Sequence, residues 1–485
     1  MKIELKDKKP EAVSDELLVF PLTEKDTKSV KGSWSVYKLI RSAVIDGDFR
    51  GKFKDALYLR DDKNKTKRIL LVGLGKDSEI NEERIRRCYS IVFAYTKKKK
   101  ISSFTTVLPK TKLKLANTIK SMIEGVVLSD YDFDKYKKKD KETKKLKEFS
   151  ILSKQVKDVV RETLIECEST KFARTLVNEP ADKMNPLETE KVAKEIAKTH
   201  KIKVTIIADK ELAKKGMNLI YGVGKGSIYP PRLIIMEYWG GKKSEKPICL
   251  VGKGITFDTG GINLKPTGYI EDMKSDKGGA CAVISTMKAL AELKIKKNVV
   301  GLASMCENMI GSGAQRPSDI VKSYSGQTVE ILNTDAEGRL AMADALTYAE
   351  KHYKPQVIVD LATLTGACVV ALGQVTAGMV STSDKYSDKM YKAGQKVFER
   401  VWRLPLYEEY EEMTKGEVSD IKNIGYKHHA GTISAAGFLR KFIKDTPWIH
   451  LDIAGVAFLD KPSYYLPKGA TGFGVRLLLE FIKSV

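Results

Sequence analysis

The chain contains little of what usually builds zinc ribbons, disulfide frameworks and single-zinc protease sites. Its 485 residues include only five histidines and six cysteines. No His-Glu-x-x-His and no Cys-x-x-Cys occurs, which excludes the common single-zinc hydrolase motif and makes a redox motif or zinc ribbon unexpected. We therefore expect reduced, cytosolic thiols. The cysteines are Cys88, Cys167, Cys249, Cys281, Cys306 and Cys368.

Apolar targeting segments are also missing. The stretch from Met1 to Asp7 has no apolar core, so we expect no secretory signal and a cytoplasmic protein. One uncharged run, 361–383, is long enough to span a bilayer. It is interrupted by Gly366, Gly373 and Gly378 and by several hydroxyl residues. A buried strand, a turn and a second element fit it better than a membrane helix, so no membrane partner is expected.

Positive charge, in contrast, is in excess. Lys and Arg number 85 against 62 Asp and Glu, a net charge of +23. This excess is compatible with nucleic-acid binding, with an anionic surface, or with a lysine-rich composition that implies no partner. The run Lys97 to Lys100 contains no aromatic residue. A solvated surface is therefore favoured, and DNA binding is kept as an alternative.

The length and the pattern of apolar runs predict an α/β protein with two domains. Apolar runs that alternate with helical stretches indicate a mixed, largely parallel sheet flanked by helices in the larger, C-terminal domain. We predict a smaller, variable, lysine-rich N-terminal α/β domain at 1–150, a connecting helix at 151–175 and the larger domain at 176–485. The strands predicted for the larger domain are 232–237, 247–251, 298–304, 356–361 and 449–453.

Local signals also place helices. Asn185 followed by Pro186, with Glu188 at the third helical position, predicts a capped helix that runs to about His200. A second helix is expected over 278–295, and the connecting helix over about 153–175. The run Ile69 to Gly75 reads as a buried strand. It has two glycines of a dinucleotide fingerprint without the third, so nucleotide binding is discounted.

The segment Asn333 to Leu340 is the richest in chemistry. Asp335 and Glu337 are two residues apart, so their side chains would share a face if the backbone were extended and diverge in a helix. An extended or looped form suits half of a metal site. The alternative is an acidic helix start in which Asn333, Thr334 or Asp335 is the cap.

A second group of chemical residues begins where the strand predicted at 247–251 ends. Open α/β sheets bind ligands at the carboxyl ends of their strands. Lys253, Asp258, Lys265 and Asp276 can therefore converge with the Asp335–Glu337 pair. Clustered carboxylates resist joint ionisation unless cations neutralise them, and oxygen-rich ligation suits Mn²⁺ or Mg²⁺, with Zn²⁺ possible.

Each of these residues taken singly also has an ordinary structural explanation. Asp258 could order a glycine turn, Lys253 could be a solvated lysine at a strand end, and Asp276 could cap the 278–295 helix.

The combined motifs resemble the leucyl aminopeptidase family, the cytosolic di-metal aminopeptidases. The resemblance is carried by the octapeptide Asn-Thr-Asp-Ala-Glu-Gly-Arg-Leu at 333–340, by Val251 to Gly261, and by Lys265 and Asp276. It extends over 176–180, 362–367, 450–455 and 469–474, and so covers about 170–485. It implies that 176–485 is the catalytic domain of a metal-dependent aminopeptidase.

The resemblance also implies a role for each site residue. One metal ion would be held by Asp258, Asp335 and Glu337, and a second by Lys253, Asp258, Asp276 and Glu337. The ions would be Mn²⁺ or Zn²⁺ and would activate a bridging water. Lys265 would stabilise the oxyanion. Arg339 would hold a bicarbonate that acts as general base, and the rival for Arg339 is a plain salt bridge to one of the carboxylates.

Substrate and assembly follow from the same resemblance. Met273, Thr363 and Gly366 would help form the pocket for the first side chain of the substrate, with Leu or another apolar residue preferred; the alternative for Met273 is a plain core residue. A homohexamer that admits short peptides is implied. Adjacent His428 and His429 lie where relatives often have small residues, and a surface loop is expected there rather than a metal site.

Overall fold

The computed structural model describes residues 1–138, 145–426 and 429–485. Two compact units are present: residues 1–168 with 462–467, and residues 169–461 with 468–485. Both are built from β-sheets and helices, so the predicted α/β class is confirmed. The domain boundaries predicted at 150 and 175 stay a prediction.

The first unit contains a six-stranded sheet. Its elements are β1 (Lys2–Lys6), β2 (Leu17–Thr23), α1 (Glu24–Thr27), α2 (Ser35–Ile45), β3 (Ala56–Arg60), β4 (Arg68–Gly75), α3 (Glu82–Lys98), β5 (Ser103–Val107), α4 (Leu115–Val127) and β6 (Glu148–Leu152). The strand order is β1-β6-β5-β2-β4-β3. All neighbours pair in parallel except β3 and β4, which are antiparallel. The strand predicted at 69–75 is confirmed as β4.

The connecting helix, α5 (Val159–Asn178), begins later than the prediction of about 153. Asp158 has a φ of 58°, in the left-handed region, which a right-handed helix cannot include. The chain therefore enters the helix only after this residue. The helix predicted from Asn185 is confirmed as α6 (Pro186–His200), because the Asn185 side chain accepts from the backbone N–H groups of Leu187 and Glu188.

The second unit is built on an eight-stranded mixed sheet. Its elements after α6 are β7 (Lys203–Ala208), α7 (Asp209–Lys214), α8 (Asn218–Gly224), β8 (Arg232–Trp239), β9 (Ile248–Asp258), α9 (Gly278–Leu293), β10 (Asn298–Asn308), β11 (Ile320–Lys322), β12 (Thr328–Glu330), α10 (Glu337–Tyr353), β13 (Val357–Ala362), α11 (Gly366–Leu372), β14 (Ala377–Ser381), α12 (Asp384–Val397), β15 (Val401–Arg403), α13 (Glu408–Glu412), β16 (Ile421–Lys422), α14 (Gly431–Arg440), β17 (Trp448–Asp452), β18 (Phe458–Leu459), β19 (Gly469–Ala470) and α15 (Val475–Ser484).

The large sheet has the strand order β15-β14-β17-β13-β9-β10-β8-β7. The four central strands β17, β13, β9 and β10 are mutually parallel, so their carboxyl ends meet at one edge. A core of fully buried apolar residues, among them Leu302, Leu340 and Trp448, packs against it. The five strands and the 278–295 helix predicted for this unit are therefore present, and the largely parallel sheet is confirmed.

Strand β9 is longer than predicted. It was expected to end near residue 251, where glycines begin, but it continues to Asp258 alongside β10. Gly252 is needed for packing rather than for a turn. A Cβ atom at this position would lie 2.5 Å from the Cα of Ala280 in α9. The glycine therefore lets the helix backbone approach the strand.

The uncharged run 361–383 forms the end of β13, the short helix α11 and strand β14. Within the described residues, no helix is long and apolar enough to cross a membrane. The expected buried strand is the end of β13. The short helix α11 and then the strand β14 follow it.

A buried carboxylate links α10 to α8. Asp344 is fully buried and accepts from the backbone N–H groups of Leu219, Ile220 and Tyr324 at 2.8–3.2 Å. Burial raises its pKa to about 7, although the three N–H donors oppose the shift.

Asp344→Asn is therefore expected to change the pH dependence of stability. An acid whose pKa is higher in the folded state stabilises the fold least once it is ionised, so the wild-type protein loses stability as pH rises from about 4 towards 7. The neutral variant lacks this loss. The melting temperature of Asp344→Asn relative to wild type should therefore increase between pH 5 and 8. A difference that stays constant over this range would contradict the prediction.

Candidate active site

The candidate site lies at the carboxyl ends of the central parallel strands. Strand β9 places Lys253 within its length and Asp258 as its last residue, and both side chains are almost completely buried. Lys253 is therefore not the solvated lysine of the structural alternative. Asp258 does order a glycine turn, because its Oδ1 accepts from the backbone N–H of Gly260 at 2.9 Å, but this is only one of its contacts.

The octapeptide 333–340 is looped before its helix begins, and none of Asn333, Thr334 and Asp335 is the helix cap. Asp335 lies in a turn, and Glu337 is the first residue of α10. The helix cap is Ala336, which provides no side-chain hydrogen bond. Asn333 instead accepts from the backbone N–H of Asp335, and the Thr334 hydroxyl donates to the carbonyl of Gly260. Neither the Asp335 nor the Glu337 carboxylate is therefore used as a helix cap, and both can face the site.

Three carboxylates converge at this edge. Asp258, Asp335 and Glu337 each offer an oxygen, and these oxygens lie within 4.8 Å of one another. The structure thus brings the Asp335–Glu337 pair together with Asp258 at the end of β9.

Lys253 and Asp276 complete the group. Lys253 Nζ lies 2.8 Å from Asp276 Oδ2 and 2.9 Å from Glu337 Oε1. Asp276 belongs to the 3-10 turn Met273–Lys277 that precedes α9. It does not cap that helix, whose first turn has no side-chain cap.

Lys265 lies on the other side of the cluster. Its Nζ is 3.0 Å from Asp258 Oδ2 and also contacts Asp335 Oδ1. Its side chain keeps 16% of its surface exposed, compared with 3% for Lys253. Lys265 is therefore the cation of the cluster that an incoming molecule can reach.

Two further residues hold the cluster in place, and sequence reasoning did not assign them this part. Asn308 donates from Nδ2 to Asp258 Oδ1 at 2.8 Å and to the carbonyl of Thr334 at 3.1 Å, which ties the two halves together. Thr363 donates its hydroxyl to Asp276 at 2.6 Å, and its carbonyl accepts from Lys253 at 2.8 Å. Asn308 and Thr363 both come shortly after predicted strands, and this position near a strand end was the sequence signal that could have identified them.

The electrostatics show an excess of negative charge. Burial raises the pKa of Asp258, Asp276 and Asp335, and neighbouring carboxylates raise these pKa values further. Burial opposes the charge on Lys253 and Lys265, but the surrounding carboxylates outweigh it and raise both pKa values. Four carboxylates face two lysines, so the site lacks positive charge when all of these groups are ionised.

These features fit divalent metal ions. The buried oxygens Asp276 Oδ2 and Asp335 Oδ1 accept no aligned hydrogen bond, although a lysine ammonium lies close to each. Carboxylate oxygens in a buried, negatively charged cluster are ligands that Mn²⁺ and Zn²⁺ accept. In the part of the chain that the structure describes, no other group of three His, Cys, Asp or Glu side chains meets the same geometric requirement.

Arg339 is buried on the first turn of α10. Its guanidinium donates to the carbonyl of Asn423 at 2.9 Å, and its Nε has no partner. Burial lowers its pKa to about 10. The rival salt bridge to a site carboxylate is not seen among the described residues. The side chain thus keeps donor capacity for another acceptor.

The remaining predicted residues are placed less decisively. Met273 is half-buried and belongs to none of the described core clusters, Thr363 is half-buried, and Gly366 is exposed at the start of α11. His429 is exposed, as a surface loop requires, while His428 lies outside the described residues.

Gly338→Ala is expected to disturb the cluster directly. A Cβ at this position would lie 2.3 Å from Lys253 Cε and 2.5 Å from its Nζ, so the lysine must move. We expect metal affinity to fall by about tenfold or more, as for other residues that position ligands. The metal affinity is measured by titrating the metal-free protein with Mn²⁺ or Zn²⁺ and recording activity or heat of binding.

Gly278→Ala is the matched control for this prediction. Its Cβ would meet only side chains, at 3.4 Å or more. Equal metal affinities in the two variants would contradict the prediction.

Two family models cover most of the chain. The model of the cytosol aminopeptidase family, catalytic domain, matches residues 171–479, and that of the N-terminal domain of the same family matches residues 19–140.

Curated relatives agree with this assignment. A probable cytosol aminopeptidase of Geotalea uraniireducens (strain Rf4) is 42% identical over 425 residues, which cover 86% of each chain. A protein of the same name from Brucella melitensis biotype 1 is 41% identical over 461 residues, which cover 94% of each chain.

Among solved structures, the bottromycin maturation enzyme BotP in complex with Mn is similar, with a TM-score of 0.86 and 30% identity, covering 97% of this chain and 99% of that one. Family models, sequence relatives and fold therefore agree on one family. The chain belongs to the cytosol aminopeptidase family of metal-dependent aminopeptidases.

Proposed function

We propose that this protein removes N-terminal residues, preferably Leu and other apolar residues, from short peptides by means of a metal-activated water. The observation that carries the proposal is the convergence of the carboxylates of Asp258, Asp335 and Glu337 within 4.8 Å. The two lysines beside them support it further, as do the buried oxygens of Asp276 and Asp335 that accept no aligned hydrogen bond.

The residues that would hold two divalent ions follow from this arrangement. Asp258, Asp335 and Glu337 would hold one, with the backbone carbonyl of Asp335 as a further ligand. Lys253, Asp258, Asp276 and Glu337 would hold the other. When bound, such a pair of ions lowers the pKa of water and polarises a carbonyl group. Mn²⁺ or Zn²⁺ is proposed, and the Mn complex of BotP supports Mn²⁺.

Lys253 has to change state to act as a ligand. Its ammonium contacts Asp276, Glu337 and the carbonyl of Thr363, and these contacts favour the protonated form. Only a neutral amine has a lone pair, so ligation requires Lys253 to lose a proton. In the geometry described here the lysine takes the place of a positive ion between two carboxylates.

Lys265 is proposed to stabilise the developing oxyanion. It remains protonated because the carboxylates around it raise its pKa, and its Nζ is partly accessible. A charged donor held beside the reacting carbonyl strengthens its hydrogen bond as negative charge grows on the oxygen.

Arg339 is proposed to hold a bicarbonate ion that serves as general base. The unpartnered, buried Nε supports this, since a guanidinium fork matches a planar anion. The bond from Arg339 to the carbonyl of Asn423 uses Nη1 and leaves Nε available for the anion.

The substrate and assembly proposals rest on the family. Met273, Thr363 and Gly366 would line the pocket for the first apolar side chain, and the free α-amine would be bound at the metal site. We propose that residues 176–485 form the catalytic domain, behind a variable N-terminal domain at 1–150 and a connecting helix at 151–175. A cytoplasmic homohexamer that admits short peptides is the expected assembly.

The free-amine requirement gives the test of this proposal. Purified protein with Mn²⁺ or Zn²⁺ should hydrolyse a fluorogenic leucine amide, and acetylation of the substrate's amine should reduce kcat/KM by at least ~100-fold, because an ion–amine contact is lost. Comparison of kcat/KM for leucine amide and alanine amide reports how strongly a large apolar first side chain is preferred. Equal turnover of the free and acetylated substrates would overturn the exopeptidase proposal.

The net charge of +23 supports one alternative, a DNA-binding role. It predicts binding of duplex DNA that weakens steeply with salt, with a slope set by the number of phosphates contacted. Absence of binding at physiological salt would exclude it. The hydrolase remains the leading proposal because a suitable residue stands at every expected metal-ligand position.

A further inference from the structure

The second unit contains a cavity of about 540 Å³ that shares no residue with the metal cluster. Its volume lies in the range of small-molecule sites. The walls are mainly apolar, and a few charged side chains converge on them. The lining residues used below are Phe257, Met309, Ile228, Ile310, Lys274 and Glu307.

Glu307 is the unusual member of this lining. Only 6% of its surface is exposed, and it lies near the end of β10. The hydroxyl of Ser227 donates to Oε2, and the same hydroxyl accepts from the backbone N–H of Tyr229 at 2.9 Å. Among the residues that the structure describes, no basic side chain lies within ion-pair distance of Glu307. Burial accordingly raises its pKa.

A buried carboxylate without a cation is costly, since one hydroxyl does not replace the water that an ionised carboxylate loses. The apolar walls beside it offer no compensation. Such a group therefore indicates a partner that is supplied from outside the chain. Because the carboxylate is an acceptor, that partner should donate hydrogen bonds and carry positive charge.

The lining of the cavity adjoins the metal cluster in sequence but includes none of its carboxylates or lysines. Glu307 precedes Asn308 and Phe257 precedes Asp258, at the point where the register between β9 and β10 shifts. Lys274 belongs to the same 3-10 turn as Asp276. The opening of the cavity has the apolar side chains of Ile228 and Ile310, which are 86% and 51% exposed.

We propose that this cavity binds a small molecule with an apolar body and a primary ammonium group, which pairs with Glu307. Phe257 and Met309 contact the apolar body, and the side chains at the opening cover it. Lys274 is the one basic residue of the lining, so an anionic ligand would meet Glu307 without gaining an equally buried cation. The proposal is independent of the peptidase activity.

The test compares two molecules of the same shape and opposite charge. Calorimetry on the metal-loaded full-length protein measures 3-methylbutylamine and 3-methylbutanoate, and the Glu307 variants distinguish binding in this cavity from binding at the metal ions. The amine should bind, and the carboxylate should bind at least about tenfold more weakly, because a charged hydrogen bond is lost. No detectable amine binding, or equal binding of the two, overturns the proposal.

Variants at Glu307 locate the site. Glu307→Gln should weaken amine binding by about tenfold or more, whereas Glu307→Asp, which retains the charge, should weaken it less. Glu307→Gln removes a buried charge, so the melting temperature of this variant should not fall. If it does fall, the amine affinity of Glu307→Asp is used instead. Amine affinity unchanged in both variants shows binding elsewhere and overturns the proposal.

Discussion

Removal of divalent metal is expected to lower hydrolysis of a leucine amide by at least ~10³-fold, since the metals supply several kcal/mol of transition-state stabilisation. Addition of Mn²⁺ or Zn²⁺ should restore activity. The physical reason is the site's charge: four carboxylates face two lysines, and burial resists their joint ionisation.

A variant pair tests which residues hold the ions. Glu337→Gln removes one charge from the centre of the cluster, where Glu337 contacts Lys253 at 2.9 Å, and should lower both metal content and turnover. Glu188→Gln is the matched control, because Glu188 is a surface residue paired with Lys191. Metal content by mass spectrometry and activity are measured together. Full activity after verified metal removal would contradict the mechanism.

Lys265→Ala is expected to reduce kcat by ~10²–10³-fold, the usual cost of removing an oxyanion donor, with a smaller change in KM. Lys265 is the accessible cation of the cluster and contacts Asp258 at 3.0 Å. Its loss also leaves Asp258 and Asp335 with one counter-ion fewer. Measuring kcat over a range of metal concentrations separates the two effects, because excess metal compensates only for weakened metal binding.

The control for this variant is Lys191→Ala. Lys191 also pairs with a glutamate, at 2.6 Å, but lies on the exposed face of α6. Exposed ion pairs contribute little, so this variant should keep wild-type turnover. If Lys265→Ala at saturating metal turned over as fast as wild type, Lys265 would have no part in stabilising the oxyanion.

The secondary structure was predictable where the signal is local. Asn185 caps α6 and Pro186 is its first residue, as the sequence predicted. The apolar runs predicted as strands of the large sheet are strands. Local rules failed where tertiary packing decides. The glycines after residue 251 suggested a turn, but Gly252 serves the approach of α9, and β9 continues to Asp258. The start of α5 was misplaced because the backbone of Asp158 is not readable from composition.

The octapeptide illustrates both sides. Its sequence provided the residue types and, through the family resemblance, their expected roles. Whether Asp335 and Glu337 lie on an extended chain or in a helix could not be decided from the segment itself. The structure places one in a turn and the other at the first position of α10, because Thr334 and Asn308 anchor the turn to the end of β9 and β10.

By itself, the sequence determined the α/β class, the residue types of the site and the family, because periodicity, helix caps and short motifs are local properties of the chain. Only the tertiary structure decided that Lys253 is buried between Asp276 and Glu337, that Asn308 and Thr363 support the cluster, and that Glu307 faces a separate cavity. These facts depend on which strands are neighbours and in which register they pair. Long-range packing sets both, and no short window of sequence encodes them.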